Sequence, residues 1–154
     1  MKTLPNHFFF EITEQILQEG KEVKIRLVGN SMYPFLYGER DILTLSPISD
    51  HMIKPGEIVL FKYHQVYLLH RIIRRQQNEV MLCGDRNSHL YEVVNLEQII
   101  GILTRVKHPD GKVIDCSSIS WRFKGKLWIQ LLPIRKFLIY FLLLIIKKPA
   151  ILQE

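Results

Sequence analysis

The sequence predicts a mostly-β fold, a single domain of short, mainly antiparallel strands with a short N-terminal helix and a basic, apolar helical tail. Short segments in which apolar and polar residues alternate follow one another closely between residues 22 and 114, which is typical of such sheets. Turn signals separate them, such as Pro55-Gly56 and Pro109-Asp110-Gly111. The 154 residues are 47% hydrophobic, which suits one domain with a packed core.

Each element follows from a local pattern. Residues 7–19 carry apolar side chains at helical spacing and end at Gly20, a good C-cap, so we predict a short amphipathic helix. Residues 22–28 alternate, which predicts a strand with one solvated face. Residues 66–73 are apolar on both faces, so this strand is expected in the interior of the sheet. Further strands are predicted at residues 41–45, 57–63, 79–83, 98–106 and 112–114.

The charge distribution divides the chain into a nearly neutral part and a basic part. Residues 1–104 hold eleven Lys and Arg against twelve Asp and Glu, whereas residues 105–148 hold ten against two. We therefore expect an N-terminal helix at residues 1–20, a β core at 21–116 and a basic tail at 117–154. Such an excess of basic residues attracts polyanions, either a membrane surface or nucleic acid.

The composition of the tail favours a membrane over nucleic acid. Residues 137–146 are wholly apolar and lie between two pairs of basic residues. A straight spanning helix needs about 20 apolar residues, so this run is too short to cross a bilayer alone. We expect peripheral or partly inserted attachment to an anionic membrane surface, and no nucleic acid partner. If the tail instead packs on the β core, we expect a cytoplasmic protein.

The two cysteines indicate no metal and no cofactor. Cys83 and Cys116 lack CxxC spacing and have no cluster of histidines beside them, so the sequence predicts neither a zinc site nor a disulfide scaffold. Cys83 lies in an apolar run and is expected in the core.

Ser31 is the first residue that could do chemistry. It lies in the segment Val28-Gly-Asn-Ser31-Met-Tyr-Pro, directly after a predicted strand and two positions after Gly29. A serine there sits on an exposed turn, where its own backbone N–H can help to stabilise an oxyanion. The segment alone is more typical of a turn or cap serine.

His70 and Asp85 are the other two candidates. His70 shares a strand face with Leu68 and Ile72, an apolar setting that favours the neutral form of a histidine and keeps it available as a base. On its own it is more typical of a core histidine. Asp85 lies in the turn Cys83-Gly-Asp85-Arg-Asn87, where it could accept a hydrogen bond from a histidine or from its own backbone.

Five short motifs follow one another along the chain: Ser-Met-x-Pro at 31–34, Pro-Gly-Glu-Ile-Val-Leu-Phe at 55–61, His-Arg-Ile at 70–72, Gly-Asp-x-Asn at 84–87 and Ile-Ile-Gly at 99–101. This succession resembles the superfamily of signal peptidase I and LexA-type serine peptidases. A histidine in place of the usual lysine is similar to its endoplasmic-reticulum, archaeal and sporulation-type branch. The match covers roughly residues 23–106.

The resemblance implies a LexA-like β fold and a serine endopeptidase, a hydrolase that cleaves extended peptides after small side chains. Leader segments of exported or modified peptides are the expected substrates. It implies that Ser31 is the nucleophile, His70 the general base and Asp85 the residue that orients the histidine. The residues expected at the oxyanion and substrate site are Gly29, Asn30 and Met32.

Two features depart from the family pattern. In the endoplasmic-reticulum branch a second Asp follows the Gly-Asp by six positions, and Tyr91 stands there in this chain, so either acidic residue could complete a triad. The family usually has a membrane anchor before the serine, whereas here the apolar run lies after it. Asp41 matches an acidic position of another family motif, read here as Gly38-Glu-Arg-Asp41, and is expected to be structural.

Three alternatives are compatible with the same residues. A non-catalytic module of this fold would bind extended peptides at a sheet edge. A self-cleaving peptidase of the LexA type would use Lys62 as the base of a Ser–Lys pair. A membrane-bound scaffold would act through the tail alone. The sequence predicts no particular oligomeric state.

Overall fold

The computed structural model describes residues 6–146, and it describes side chains from residue 8 onwards. Its three α-helices are α1 (Asn6–Gln18), α2 (Ile119–Gln130) and α3 (Arg135–Ile146). Its eight strands are β1 (Val23–Arg26), β2 (Ile42–Ser46), β3 (Ile58–Tyr63), β4 (Val66–Gln76), β5 (Glu79–Cys83), β6 (Glu92–Asn95), β7 (Ile99–Lys107) and β8 (Val113–Asp115). The predictions for residues 1–5 and 147–154 lie outside the described part.

The strands form one curled sheet in the order β1-β2-β7-β3-β4-β5-β6, with β8 also paired to β7, and every pairing is antiparallel. This confirms the prediction of a mostly-β fold with helices at both ends. The interior position predicted for residues 66–73 is confirmed as well, because β4 lies between β3 and β5. The sequence does not predict β6, since Val94 alone among its four residues is buried and the strand lacks a clear alternation.

Two apolar clusters pack on the two faces of the sheet. Ile58 and Leu60 of β3 belong to one cluster, and Val59 and Phe61 belong to the other, as the alternation of a strand requires. The first cluster also contains Trp121 of α2. The helical tail therefore completes the core on that face.

Both cysteines are buried and unpaired, so the core position predicted for Cys83 is confirmed. Burial raises the pKa of the Cys83 thiol to about 11 and that of the Cys116 thiol to about 12. Because the thiolate is the reactive form, neither side chain is a nucleophile at neutral pH.

The described part of the tail packs against the β core over α2 and the beginning of α3. Ser118 caps α2 by accepting the Trp121 backbone N–H, while α3 buries only Arg135 and Ile139. Among residues 6–146 no single helix has the length and apolar content to cross a membrane. Residues 119–130 and 132–146 meet that test only as a pair, with a 64° bend between them.

Candidate active site

Ser31 lies in the loop that joins β1 to β2, and backbone contacts close this loop at its base. The Glu39 N–H donates to the Leu27 carbonyl at 2.6 Å. Gly38 packs directly on Gly29, because a Cβ atom at position 38 would collide with the Gly29 carbonyl oxygen. These contacts hold the two ends of the loop together. Ser31 lies between them and is exposed.

The buried Asp41 carboxylate fastens the same loop. Its Oδ2 accepts the Tyr37 backbone N–H at 2.9 Å, and its Oδ1 lies 2.7 Å from His108 Nδ1. Burial opposes ionisation of this carboxyl, but the hydrogen bonds from His108, the Tyr37 backbone and Arg40 outweigh it and keep its pKa below the usual value. These bonds tie Asp41 into the loop, in keeping with the structural role expected for it.

The three residues predicted to flank the nucleophile have different environments. Gly29 has a φ of +81°, in the left-handed region that favours glycine, and Asn30 is exposed. The Met32 side chain is 0% exposed and belongs to the apolar core. It therefore packs inside the domain and does not lie on a surface that a peptide could reach, unlike the side chain of Asn30.

His70 lies in β4 and is almost fully buried, with its Nδ1 2.8 Å from Glu92 Oε2 in β6. A carboxylate can only accept a hydrogen bond, so in the neutral imidazole that donates to it the proton is on Nδ1 and the lone pair is on Nε2. The Phe61 ring lies beside the imidazole, with 5.8 Å between the centroids. Nε2 is thus the atom of His70 that is available to take a proton.

Gly84 lies between the serine loop and the histidine. A Cβ atom at this position would lie 2.9 Å from the Ser31 carbonyl oxygen and 3.1 Å from His70 Nε2. Both distances are shorter than ordinary van der Waals contact, so glycine allows the two groups to approach the same point of the backbone. Arg86, two residues further along the same turn, donates its N–H to the Ser31 carbonyl at 2.9 Å. The turn therefore joins the serine loop to the histidine strand.

Asp85 is paired with Arg71 and not with His70. Its two carboxylate oxygens accept from Arg71 Nε at 2.8 Å and Nη2 at 2.6 Å, and both side chains are fully buried. The prediction that Asp85 orients the histidine is therefore corrected, since Glu92 makes that contact. The physical reason is the alternation of a strand, which sends the neighbouring side chains of His70 and Arg71 to opposite faces.

Sequence reasoning missed Glu92, although one signal pointed near it. Glu92 directly follows Tyr91, which stands where the resembled branch has its second acidic residue. Tyr91 instead donates its hydroxyl to the Ser88 carbonyl at 3.1 Å. Glu92 reaches His70 because a short strand, β6, begins at Glu92 and pairs with β5. The sequence does not predict this strand.

Helix α2 of the tail packs against the Arg71–Asp85 pair. The Arg71 guanidinium lies over the Phe35 ring, 4.4 Å from its centroid. A Cβ atom at Gly125 of α2 would come within 2.5 Å of Arg71 Nη1, so the helix packs directly on the guanidinium. Trp128 of the same helix donates its Nε1–H to the Asp85 carbonyl at 3.1 Å.

The buried Arg135 connects the beginning of α3 to the same turn. Its guanidinium donates to the carbonyls of Asn87 at 3.0 Å and Trp128 at 2.6 Å. Burial lowers its pKa, yet an arginine stays charged in proteins. The turn that contacts both Ser31 and His70 is therefore held by side chains from two tail helices.

Lys62, the base of the alternative Ser–Lys pair, lies in a different environment. Its Nζ is 5.3 Å from the centroid of the Tyr67 ring, and the Tyr67 hydroxyl donates to Glu14 of α1 at 2.9 Å. These contacts place Lys62 beside the N-terminal helix, whereas Gly84 brings His70 to the serine loop.

Comparisons with known proteins add no relative, because neither a protein-family model nor a curated protein matches the chain. Among the described residues, no group of three or more His, Cys, Asp and Glu side chains is arranged to hold a metal ion.

Proposed function

We propose that this protein is a serine endopeptidase of the signal-peptidase type with a LexA-like fold. Ser31 is the nucleophile, His70 the general base and Glu92 the residue that orients the histidine. The observation that supports the proposal most is the close approach at Gly84, where the serine loop and His70 Nε2 both meet one point of the backbone. The Nδ1 contact with Glu92 supports it further, because it directs the basic nitrogen away from the carboxylate.

In the proposed mechanism, Ser31 Oγ attacks the scissile carbonyl carbon while His70 Nε2 takes the hydroxyl proton. The tetrahedral intermediate collapses as His70 gives this proton to the leaving amine, which leaves an acyl-enzyme. Water, deprotonated by His70, then hydrolyses the ester. Glu92 stabilises the transient imidazolium. The Ser31 backbone N–H and the exposed Asn30 side chain are the donors available to the oxyanion.

The proposed substrates are extended peptides, such as leader segments of exported or modified peptides. β1 lies at the end of the strand order, so no strand within residues 6–146 pairs with its outer side. An extended peptide can pair with such an edge. The chain leads directly from β1 into the loop that carries Ser31, which would bring a paired peptide close to the nucleophile.

The test is cleavage of a mixed peptide library, with new termini detected by mass spectrometry. Replacing the nucleophile in Ser31→Ala, or the base in His70→Ala, is expected to lower the cleavage rate by about 10³-fold or more. Lys62→Ala is expected to keep the wild-type rate within a few fold. Circular dichroism of each variant separates loss of chemistry from loss of fold.

The chain offers a matched control for the catalytic pair. Ser88 Oγ and His89 Nε2 lie 3.0 Å apart in an exposed setting, so Ser88→Ala also removes a serine beside a histidine. That variant is expected to cleave as the wild type does. Full activity in His70→Ala would refute the proposed pair of Ser31 and His70. Binding of peptides without cleavage, unchanged in Ser31→Ala, would favour the non-catalytic module.

A further inference from the structure

α3 presents apolar side chains to solvent along its whole length. Of its residues only Arg135 and Ile139 are buried, while Phe137 is 65% and Phe141 61% exposed. Soluble domains rarely leave apolar surface of this extent uncovered, and such surface marks an interaction site.

α2 also exposes apolar side chains. Trp121 and Trp128 face the core, whereas Phe123 and Leu127 are exposed. Phe123 and Leu127 are four residues apart and therefore share one face of the helix. We call the exposed large apolar side chains of α2 and α3 the docking face, which consists of Ile119, Phe123, Leu127, Phe137, Tyr140, Phe141, Leu144, Ile145 and Ile146.

The charged side chains of α2 and α3 are all basic, and one of them, Arg122, has its Nε 3.4 Å from Glu57 Oε1 of the β core. Residues 117–146 contain five basic residues and no acidic one. Four of the five are exposed, and the fifth is the buried Arg135. Two copies of the chain that met through this face would bring like charges together, which opposes association. An anionic surface would instead be attracted to it.

We propose that the docking face binds the surface of an anionic phospholipid bilayer. Aromatic and aliphatic side chains enter the interfacial region, and the exposed lysines pair with lipid phosphates, as in interfacial amphipathic helices. This inference goes beyond the peptidase activity and does not depend on Ser31.

The N-terminal helix provides an internal comparison. α1 also exposes aromatic residues, Phe8 and Phe9, but its sequence contains Glu11 and Glu14 and neither lysine nor arginine. An anionic bilayer repels such a helix. Exposed apolar surface occurs at both ends of the described chain, and the charge assigns lipid binding to α2 and α3.

The anchoring of α3 gives lipid binding a consequence for the site. Arg135 at the first position of α3 donates to Asn87, in the turn that contacts Ser31 and His70. A bilayer bound to the docking face is therefore held in one orientation relative to Ser31.

The experiment is flotation of the full chain with vesicles of phosphatidylcholine alone or mixed with phosphatidylglycerol. We expect binding to the mixed vesicles, weak binding to the neutral ones, and release as salt screens the attraction. The double variant Phe137→Ser/Phe141→Ser is expected to lower the partition coefficient about tenfold or more. Lys124→Gln/Lys136→Gln is expected to lower it by a similar factor on the mixed vesicles alone.

Matched controls exist for both variants. Phe8→Ser/Phe9→Ser removes two exposed aromatics from α1, and Lys24→Gln/Lys54→Gln removes two exposed charges from the β core. Both are expected to bind like the wild type, and so is Ser31→Ala, whose result separates this proposal from the peptidase proposal.

Three results would overturn the proposal. The first is absence of binding to both kinds of vesicle. The second is an equal loss of binding in the α1 variant and the α3 variant. The third is a lipid-free dimer that Phe137→Ser/Phe141→Ser converts to a monomer, which would assign the docking face to a second copy of the chain. The lysine variants keep the proposal testable if the phenylalanine variant fails to fold.

Discussion

His70 and Arg71 are neighbours in β4, and each contacts a carboxylate from the segment that follows β5, but the two pairs differ in enclosure. Arg71 and Asp85 are both fully buried and share two hydrogen bonds, and a third guanidinium nitrogen donates to the Gly56 carbonyl at 2.7 Å. His70 and Glu92 share one contact, and their side chains keep 7% and 14% exposure. The fully buried Arg71–Asp85 pair holds a turn in place. The His70–Glu92 pair uses only Nδ1 of the imidazole, so Nε2 of His70 is available to accept a proton.

The largest effect that separates the two pairs is expected from Glu92→Gln. An amide at this position can donate to Nδ1 and favour the wrong tautomer of His70, so kcat should fall by as much as about 10⁴-fold. The free energy of unfolding should change by about 1 kcal/mol or less, because the substituted side chain keeps its shape and one hydrogen bond. Peptide cleavage and urea unfolding measure the two quantities.

Glu79→Gln is the matched control for this prediction. Glu79 is an exposed carboxylate in β5, the strand that pairs with β6. Its replacement should leave both kcat and stability near the wild-type values. If Glu92→Gln behaves like Glu79→Gln in kcat, the orienting role of Glu92 is refuted.

The enclosed pair should respond mainly in stability. Asp85→Asn leaves the Arg71 guanidinium buried without a charged partner, which costs about 3–5 kcal/mol. The same β4 strand offers a control, because Arg75 Nη2 lies 2.6 Å from the exposed Asp50 carboxylate. Asp50→Asn should cost at most about 1 kcal/mol. Urea unfolding of the two variants gives the comparison.

A second substitution identifies the cause of the Asp85→Asn loss. Adding Arg71→Met removes the buried charge, so the double variant should be more stable than Asp85→Asn alone. If the double variant is no more stable, the loss arises from the turn itself and not from the unpaired guanidinium.

The smallest effect concerns a second contact between a histidine and a carboxylate, His108 with Asp41. The pKa of the Asp41 carboxyl is lowered in the folded state from the ordinary 3.8, so its contribution to stability is present above that pH and is lost as the pH falls below it. Asp41→Asn should therefore flatten the acid limb of the stability profile. His108→Ala should leave kcat at neutral pH within a few fold, in contrast to His70→Ala.

The strands were predictable because their alternation follows from one buried face, as in the segment of β1. β6 was not, since a four-residue strand with one buried side chain carries no periodic signal. Because the sequence does not predict β6, it also does not predict the contact of Glu92 with His70. The sequence predicts Asp85 as the partner of His70 because it places Asp85 in a turn after a buried strand, but the sequence does not determine which face of β4 the carboxylate contacts.

The tail was predictable in composition but not in packing. A pair of basic residues before an apolar run is typical of solvated flanks, yet Arg135 is fully buried while the adjacent Lys136 is exposed. Burial of that guanidinium depends on two carbonyls, those of Asn87 and Trp128, that come together only in the folded chain. No local pattern contains this information.

The most direct test of the central claim needs no known substrate. In the variant Ser31→Cys, a neighbouring His70 should lower the pKa of the introduced thiol and accelerate its alkylation by iodoacetamide at neutral pH. The native Cys83 and Cys116 are buried, with thiol pKa values raised to about 11 and about 12, so they contribute little background. We expect alkylation at position 31 to be about tenfold or more slower once His70→Ala is added. Equal rates with and without His70 would contradict the proposed Ser31–His70 pair.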